Sequence, residues 1–359
     1  AETGITLLTG TPITNSLTEL YTIFRQMREV EYLDNKGMLN FDDWRVQYAE
    51  VSTEFEFDVS GKVKTKNRLR NFINLPELSQ QYLQIADVRN DSNINLPKPK
   101  MRTGDLILRT SKMSKEQAKY MQDINKLITA KSIDKIPTTL NLPITNDETA
   151  YKYLAAKGVL GATLAQKVSV DTRLMHLRND MPDYANPKVA NVQTLPFGKL
   201  SDCIRNVAAI YYQSRKQKGV QIVFCGVGTP KRKNDFSIYD VIRKDLYNKH
   251  KVPTNQVAFI HEYNTDKQRK KLFDLLNKGE IAIVIGSVQK LGTGVNIQKR
   301  ICAIHHLTVG WTPADLVQGN GRGLRQGSLF YKKNKNFTIP VFGYATIGSL
   351  DAYKFELLG

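Results

Sequence analysis

The sequence lacks long apolar runs, and it has few cysteines. No apolar stretch approaches the roughly 20 residues that a membrane-spanning helix needs, and no signal peptide is visible. The three cysteines, Cys203, Cys225 and Cys302, lie far apart and without metal-ligand spacing. We therefore expect reduced core thiols in a cytoplasmic protein that has no membrane partner.

Histidine is also scarce, with five among 359 residues. His305 and His306 are adjacent in an apolar run that predicts a strand, so their side chains should point to opposite faces of a sheet. His261-Glu262 has no third ligand nearby in the sequence. We therefore expect no metal site, and the sequence supports no Ser/His/Asp grouping.

Basic residues outnumber acidic ones, and the nucleotide-binding signature GxxxxGK[ST] is missing. Lysine and arginine total 52 against 34 acidic residues, which gives a net charge of +18. Such a surplus favours a polyanionic partner, most simply nucleic acid, although a general composition bias gives the same surplus. No GxxxxGK[ST] occurs anywhere in the chain. Asp147-Glu-Thr-Ala150 resembles a DExx box but follows no buried strand, so we interpret it as a helix start.

The second half of the chain alternates short apolar runs with helical patterns. This alternation predicts an α/β fold, with a parallel sheet covered by helices on both faces. The predicted strands are 221–225, 257–260, 281–285, 301–307 and 337–344, and the predicted helices are 199–217, 237–249, 266–278 and one from 349. Ligands of such sheets sit at the carboxyl ends of strands. Gly226, His261, Ser287 and His306 fall near those ends.

The region before this sheet is mixed. Helical patterns begin at 41, 75, 114 and 148, a short strand is predicted at 105–109, and two prolines at 182 and 187 indicate a domain boundary. The basic residues Lys98, Lys100, Arg102, Arg109, Lys112 and Lys115 have two interpretations. They track a phosphate backbone, or they form a solvated edge.

Two glycine-rich stretches carry the chemistry. In the segment GSVQKLGTGVN (286–296), closely spaced glycines let backbone approach a phosphate or another chain. In the segment DLVQGNGRGLR (315–325), Arg322 and Arg325 provide two guanidinium forks that suit bidentate phosphate contact. The flanking glycines at 321 and 323 predict an accessible Arg322 side chain.

Together these stretches resemble motifs V and VI of superfamily-2 helicases, closest to the Swi/Snf-type ATPases. The resemblance implies that Arg322 and Arg325 are catalytic arginine fingers. It implies ATP-binding roles for Gln318, Gly292 and Gly294, and DNA contact or coupling for Ser287, Thr293 and Asn296. Asn320-Gly321 departs from the pattern, because Swi/Snf-type proteins usually carry a bulkier or acidic residue there.

The start of the chain, LLTGTPITNSLTELYTIFRQM (7–27), resembles helicase motif III of the same type. The resemblance implies that Thr9, Gly10 and Thr11 take part in nucleic-acid contact or coupling. It also implies three parts. Residues 1–30 would end a first RecA-like domain, 31–185 would be a mostly helical insertion, and 186–359 would form the second, C-terminal RecA-like helicase domain.

Segments from motif III to the C-terminus resemble the Swi/Snf-like portion of large helicase–DNA methylase proteins of phages and mobile elements. The resemblance implies the C-terminal part of an ATP-dependent DNA helicase or translocase. ATP and Mg would be bound mainly by the missing first RecA-like domain. We expect the partners to be DNA, that domain and an adjacent adenine-specific methyltransferase. We also expect the chain to be a fragment that is inactive on its own.

Two other functions remain open at this stage. The chain is alternatively a non-catalytic DNA-binding module that positions a neighbouring methyltransferase. An intact methyltransferase is opposed by the sequence, because the chain has no [DNS]PP[YFW] motif and no glycine-rich S-adenosylmethionine signature.

Overall fold

A computed structural model describes most of the chain. The described residues are 4, 6–8, 18–28, 30–57, 63–89, 96–142, 144–176, 197–230, 236–292, 296–310 and 312–358. The chain forms two compact units, Ala1–Leu96 and Pro97–Gly359. Within the described ranges, no helix is both long and apolar enough to cross a membrane.

The first unit packs four helices and a two-stranded sheet around an aromatic core. Its elements are α1 (Thr18–Met27), α2 (Val30–Asn35), α3 (Phe41–Tyr48), β1 (Ala49–Phe57), β2 (Val63–Phe72) and α4 (Leu75–Leu83). The strands are antiparallel. Trp44 is 1% exposed, and its ring centroid lies 5.8 Å from that of Tyr21 and 5.9 Å from that of Tyr48. Aromatic burial of this kind supplies much of a small core's stability.

The second unit contains a six-stranded, wholly parallel sheet. The described strands of this unit, which include a separate two-stranded pair, are β3 (Lys100–Met101), β4 (Ile107–Ser111), β5 (Val220–Phe224), β6 (Val257–Phe259), β7 (Ile283–Gly286), β8 (Ile301–His306), β9 (Thr338–Ile339) and β10 (Val341–Thr346). The large sheet has the order β4-β10-β8-β5-β7-β6, and β3 pairs with β9 separately. Every pairing in the large sheet is parallel.

Helices cover both faces of this sheet. The described helices of the second unit are α5 (Lys115–Thr129), α6 (Asp147–Ala155), α7 (Lys157–Val170), α8 (Lys199–Ser214), α9 (Ile238–Asn248), α10 (Asp266–Lys278), α11 (Val288–Gly292), α12 (Pro313–Asn320), α13 (Leu329–Lys333) and α14 (Leu350–Leu358). Val223 on β5 belongs to the buried cluster of α8 and α9, whereas its neighbour Phe224 belongs to the cluster of α10. Alternate residues of the strand therefore pack into two cores, one on each face of the sheet. The predicted α/β fold is confirmed.

Local signals fix several helix ends. Thr265 and Gln268 form a capping box at the start of α10, and Gly279 ends that helix with φ +70°. Left-handed φ favours glycine at this position. The predicted helix 266–278 therefore matches α10. Asn146 caps α6, so the DExx-like segment is a helix start, as predicted.

Other elements differ from the sequence-based predictions. The paired strands β1 and β2 were not predicted, although Val51, Phe55 and Phe57 alternate with glutamates in the sequence. The helical pattern from 148 to 170 forms two helices, α6 and α7, which meet at Ala156. The predicted boundary at 180–187 lies outside the described residues. The ranges 1–30, 31–185 and 186–359 stay a prediction for the domain division.

Polar contacts attach both ends of the second unit to helix α8. Strand β4 lies within the range predicted as an insertion and is an edge strand of the six-stranded sheet. Ser111 at its end donates a hydrogen bond to the Asp202 carboxylate on α8. At the start of α8, Lys199 Nζ lies 2.5 Å from Asp351 Oδ2 on α14, and both side chains are almost completely buried. This ion pair holds the C-terminal helix against the unit.

Candidate nucleotide and nucleic-acid site

The candidate arginines lie on turns that follow α12. This helix begins with the capping box of Thr312 and Asp315 and ends at Asn320. The chain then turns tightly, with Arg322 N–H donating to the Gly319 carbonyl (3.2 Å) and Arg325 N–H to the Gly323 carbonyl (2.9 Å). Both arginines are thus placed by backbone turns beyond the last helical residue.

Two glycines allow this segment to lie close against the sheet. A Cβ on Gly319 would come within 2.9 Å of His306 Cε1. A Cβ on Gly323 would come within 2.9 Å of Ile301 Cγ2 and of Ile304 Cδ1. Real Cβ contacts are essentially never closer than 3.0 Å. The glycines of this stretch therefore serve close packing against β8, and the turn geometry of the arginines depends on it.

The two adjacent histidines of β8 occupy opposite faces of the sheet, as predicted. His306 stacks on Phe224, with ring centroids 5.0 Å apart. His305 stacks on Phe342 at 5.2 Å and has polar partners at both ring nitrogens, namely the hydroxyl of Tyr344 and Oε1 of Gln221. Both histidines are completely buried. Burial lowers the pKa of His305 to about 3 and that of His306 to about 4.

Arg322 and Arg325 have different environments. Arg322 is half-buried, so the accessible side chain that the sequence predicted is only partly accessible. Burial, and then the positive charge of nearby Arg325, lowers the pKa of Arg322 from its ordinary value. Arginine nevertheless stays protonated in proteins. Arg325 is exposed, so the pair combines one partly desolvated cation with one that reaches solvent.

A direct hydrogen bond joins the two predicted motifs. Arg325 Nη1 donates to Asn296 Oδ1 at 3.1 Å. Asn296 is held in turn by Asn277 on α10, whose Nδ2 donates to the Asn296 carbonyl at 2.7 Å. Two of the residues that meet here, Arg325 and Asn296, were predicted site residues. Asn277 was not predicted, because its role depends on a tertiary contact that leaves no local signal.

A groove of about 670 Å³ opens beside Arg325. Its lining combines three cations, one carboxylate, four amides and one aromatic ring, contributed by Lys270, Phe273, Asp274, Asn277, Asn296, Gln298, Lys299, Arg325 and Gln326. Amide and guanidinium donors are suited to the oxygens of a phosphate. The balance of charge in the groove therefore favours an anionic ligand.

The remaining predicted site residues lie apart from this groove or outside the described residues. Ser287 follows β7 at the carboxyl edge of the sheet, and its Oγ accepts from Lys290 N–H at 3.3 Å. Gly292 ends α11, and Gln318 is half-buried in the last turn of α12. Thr9, Gly10, Thr11, Thr293 and Gly294 lie outside the described residues. The structure thus joins Asn296 to Arg325, near the amino end of β8, and leaves Ser287 at the opposite edge of the sheet.

The cysteines are free thiols that burial keeps protonated. Cys203 and Cys225 are buried and Cys302 is partly buried, all as free thiols. Burial raises the pKa of Cys225 and of Cys302 to about 11, so neither is a ready thiolate. Among the described residues, no group of three or more His, Cys, Asp or Glu side chains could hold a metal ion.

Comparison with protein-family models gives two matches. The model described as helicase conserved C-terminal domain matches residues 204–327. Residues 204–327 are thus similar to a helicase C-terminal domain. A second model, described as "Probable helicase domain", matches residues 1–90. The matched residues 204–327 include both candidate arginines, Asn296 and the groove beside Arg325.

One solved structure agrees with this match at the level of the fold, and a second covers less of the chain. The C-terminal part of the Fun30 ATPase domain superposes with a TM-score of 0.50 and 15% identity, over 74% of this chain and 90% of that one. The helicase MrfA, solved bound to DNA, gives a TM-score of 0.31 at 17% identity, over 43% of this chain and 20% of that one.

One curated relative is a phage protein. The defense against restriction protein B of Escherichia phage P1 is 37% identical over 81 residues. That stretch is 23% of this chain and 3% of the phage protein. The chain therefore spans only a small part of that relative's length.

Proposed function

We propose that this chain supplies the second RecA-like half of an ATP-dependent DNA helicase or translocase of the Swi/Snf type. The observation that carries the proposal is the hydrogen bond between Arg325 and Asn296 within the helicase C-terminal domain. It joins the segment predicted to contact DNA to the segment predicted to contact ATP. Such a link is what coupling between the two ligands requires.

In this proposal the arginines act on the transferred phosphoryl group. ATP and its Mg²⁺ are held mainly by a first RecA-like domain, and the arginines reach the γ-phosphate across the cleft. Negative charge on the phosphoryl oxygens is then met by fixed cations in a partly desolvated site, which is the main way in which proteins accelerate this reaction. Gln318, Gly292 and Gly294 line the nucleotide side of the cleft.

DNA is the second ligand in the proposal. Ser287, Thr293 and Asn296 are the proposed DNA contacts or coupling residues, and Asn296 is hydrogen-bonded to Arg325. Thr9, Gly10 and Thr11 belong to the same proposed group of residues. The net charge of +18 supports a polyanionic partner. An adjacent adenine-specific methyltransferase in a phage or mobile-element protein belongs to the same proposal and rests on the sequence resemblance alone.

The test is the ATPase rate of the complete gene product against DNA concentration. Arg322→Ala should lower kcat on the order of 10³-fold, the low end for an arginine finger. Arg322→Lys keeps the charge but loses the planar fork, so kcat should still fall steeply. The matched control is Arg215→Ala, which removes an exposed arginine that stacks on Tyr212 outside the candidate site. It should leave kcat unchanged.

The competing function makes the opposite forecast. If the chain is a non-catalytic DNA-binding module, the motif arginines can be lost without effect on the full-length protein. If Arg322 is a DNA contact, its loss weakens DNA affinity while saturating DNA restores the wild-type rate. Recovery of wild-type kcat at saturating DNA would therefore defeat the arginine-finger assignment. DNA affinity measured without nucleotide separates the two assignments of Arg322. If Arg322 is an arginine finger, its loss should change that affinity little, because one charge is a small part of a broad electrostatic footprint.

A further inference from the structure

Asn277 connects a rigid helix to the segment that precedes β8. Its Nδ2 donates to the Asn296 carbonyl at 2.7 Å, and its Oδ1 accepts from Lys299 N–H at 3.3 Å. The backbone carbonyl of Asn277 also accepts from Arg300 Nε at 3.2 Å. One residue near the end of α10 therefore fixes both ends of the segment 296–300.

The helix that carries Asn277 is itself firmly held. Leu272 and Leu276 of α10 are completely buried in the core beneath the sheet. Leu276 precedes Asn277, and the helix ends two residues later at Gly279, whose N–H donates to the Leu276 carbonyl at 2.9 Å. Asn277 therefore holds the segment 296–300 in a fixed position relative to the packed helix α10. An asparagine on a loop would move with its loop.

The held segment in turn orders an exposed arginine. Arg325 is exposed and long, and a side chain of this kind ordinarily samples many rotamers. Its Nη1 donates to Asn296 Oδ1, which fixes one arm of the fork. A guanidinium has five N–H donors in a rigid plane, so fixing one arm restricts the directions in which the others point.

We propose that Asn277 and Asn296 are positioning residues, which form a relay from α10 to Arg325 and hold its guanidinium in the orientation that meets the phosphate. The claim that the held guanidinium meets the phosphate rests on the proposed function. The relay adds two residues that orient the Arg325 side chain. Asn296 acts through its side-chain oxygen, and Asn277 acts on the backbone of Asn296.

The first experiment measures the order of Arg325 in the 359-residue chain, without any activity assay. Relaxation of the ¹⁵N-labelled arginine Nε–Hε groups reports side-chain order, and Arg325→Lys identifies the resonance by its disappearance. Asn296→Ala and Asn277→Ala should lower the order of Arg325. Asn296→Asp keeps an acceptor oxygen opposite the guanidinium and should preserve it.

Matched controls separate this effect from general loosening. Asn336→Ala removes an exposed asparagine on the turn before β9 and should leave Arg325 unchanged. The order of Arg215 should not change in any of the variants. If Arg325 stays equally ordered in Asn296→Ala, the relay does not exist and the inference is overturned.

The second experiment measures kcat and the KM for ATP in the complete gene product. A misplacement of about 1 Å can cost on the order of 10²-fold in rate, so Asn296→Ala and Asn277→Ala should each lower kcat by about tenfold or more with a smaller change in KM. Residues that act as one unit are not additive. Either substitution should therefore have little further effect on kcat when Arg325→Ala is already present.

The outcomes distinguish this inference from the proposed function. Full additivity with Arg325→Ala would show that the asparagines act independently, which overturns the relay while the large effect of Arg325→Ala keeps the proposed function in place. An Arg325→Ala variant with wild-type kcat would overturn the proposed function and, with it, the catalytic part of the relay. The relaxation measurement then still decides whether the asparagines order Arg325.

Discussion

His306 Nε2 donates a hydrogen bond to Asn320 Oδ1 at 2.8 Å, and both residues are buried. The bond ties the carboxyl end of β8 to the last residue of α12, just before the turn that carries Arg322. The Nδ1 atom of His306 is buried, with no hydrogen-bond partner among the described residues. A second proton on the ring would therefore have no acceptor there, which agrees with the low pKa of about 4.

Removing the acceptor of this bond should destabilise the second unit. Asn320→Ala leaves the buried Nε2–H of His306 without a partner, and an unsatisfied buried group costs about 1–3 kcal/mol. The free energy of unfolding, measured in urea, should fall by that amount. Asn336→Ala, an exposed site, is the control and should change it by less than about 0.5 kcal/mol. An unchanged unfolding midpoint for Asn320→Ala would mean that the bond carries no net stability.

The buried histidines should make stability depend on pH. The pKa of His306 falls from 6.5 to about 4 on folding, because burial disfavours its charged form. Between those values the unfolded chain binds the proton and the folded chain does not, so stability is fully present above about pH 6.5 and is lost as the pH falls toward 4. The loss from His306 alone should reach roughly 3 kcal/mol.

The measurement that isolates this contribution is urea unfolding between pH 4 and pH 7. His306→Phe keeps a ring that can stack on Phe224 but cannot titrate, so stability should depend less steeply on pH than in the wild type. His305 contributes in the same direction, with a folded pKa of about 3, and it remains in both proteins. Equal slopes for the wild type and His306→Phe would contradict the prediction.

The close approach of the arginine turns to β8 should not tolerate added methyl groups. Gly323→Ala would place a Cβ within 2.9 Å of two isoleucine side chains, and Gly319→Ala would do the same at the His306 ring. Overpacking of this kind typically costs about 1–3 kcal/mol. Gly158→Ala is the matched control, because nothing lies within 4 Å of its Cβ position in α7. It should be neutral or stabilising by up to about 1 kcal/mol.

The 359-residue chain by itself should hydrolyse ATP no faster than background. It has no GxxxxGK[ST] segment to cradle the phosphates, and the arginines alone supply only part of a phosphoryl-transfer site. The measurement is phosphate release with and without DNA. A DNA-stimulated turnover above about 1 s⁻¹, which lies within the usual enzyme range, would show that the chain holds a complete site.

The same chain should bind DNA weakly, without sequence preference and with steep salt dependence. The reason is the net charge of +18. Each neutralised phosphate should contribute about −0.9 to the slope of log K against log salt concentration. Fluorescence anisotropy with two unrelated duplexes at several salt concentrations measures both properties. A flat salt dependence, or strong discrimination between the duplexes, would contradict the prediction.

The elements that the sequence predicted well are those with local causes. The apolar runs at 281–285 and 301–307 become β7 and β8 because the core requires residues that are buried on both faces of a parallel sheet. The helix 266–278 is bounded by a capping box and a glycine that local chemistry determines. His305 and His306 take opposite faces because a strand has a two-residue period.

The features that could not be predicted depend on contacts between distant segments. The sequence predicts a strand near β4, but nothing local shows that it joins β10 at the sheet edge. The partial burial of Arg322 follows from the packing of its glycine neighbours against β8, whereas their small size alone suggested exposure. The bond from Arg325 to Asn296 was likewise hidden, since 29 residues separate the partners in sequence.

The edge formed by β4 and β10 has a consequence for how the protein is made. Both strands lie outside residues 204–327, and His305 on β8 contacts Tyr344 of β10. During synthesis β4 leaves the ribosome well before its neighbour β10, so the sheet stays incomplete until nearly the whole unit has emerged. Such non-local pairing is slow and exposes apolar strands in the meantime. Newly made chains should therefore depend on holding chaperones until residue 346, the end of β10, has left the ribosome. A fragment of residues 204–327 alone should aggregate.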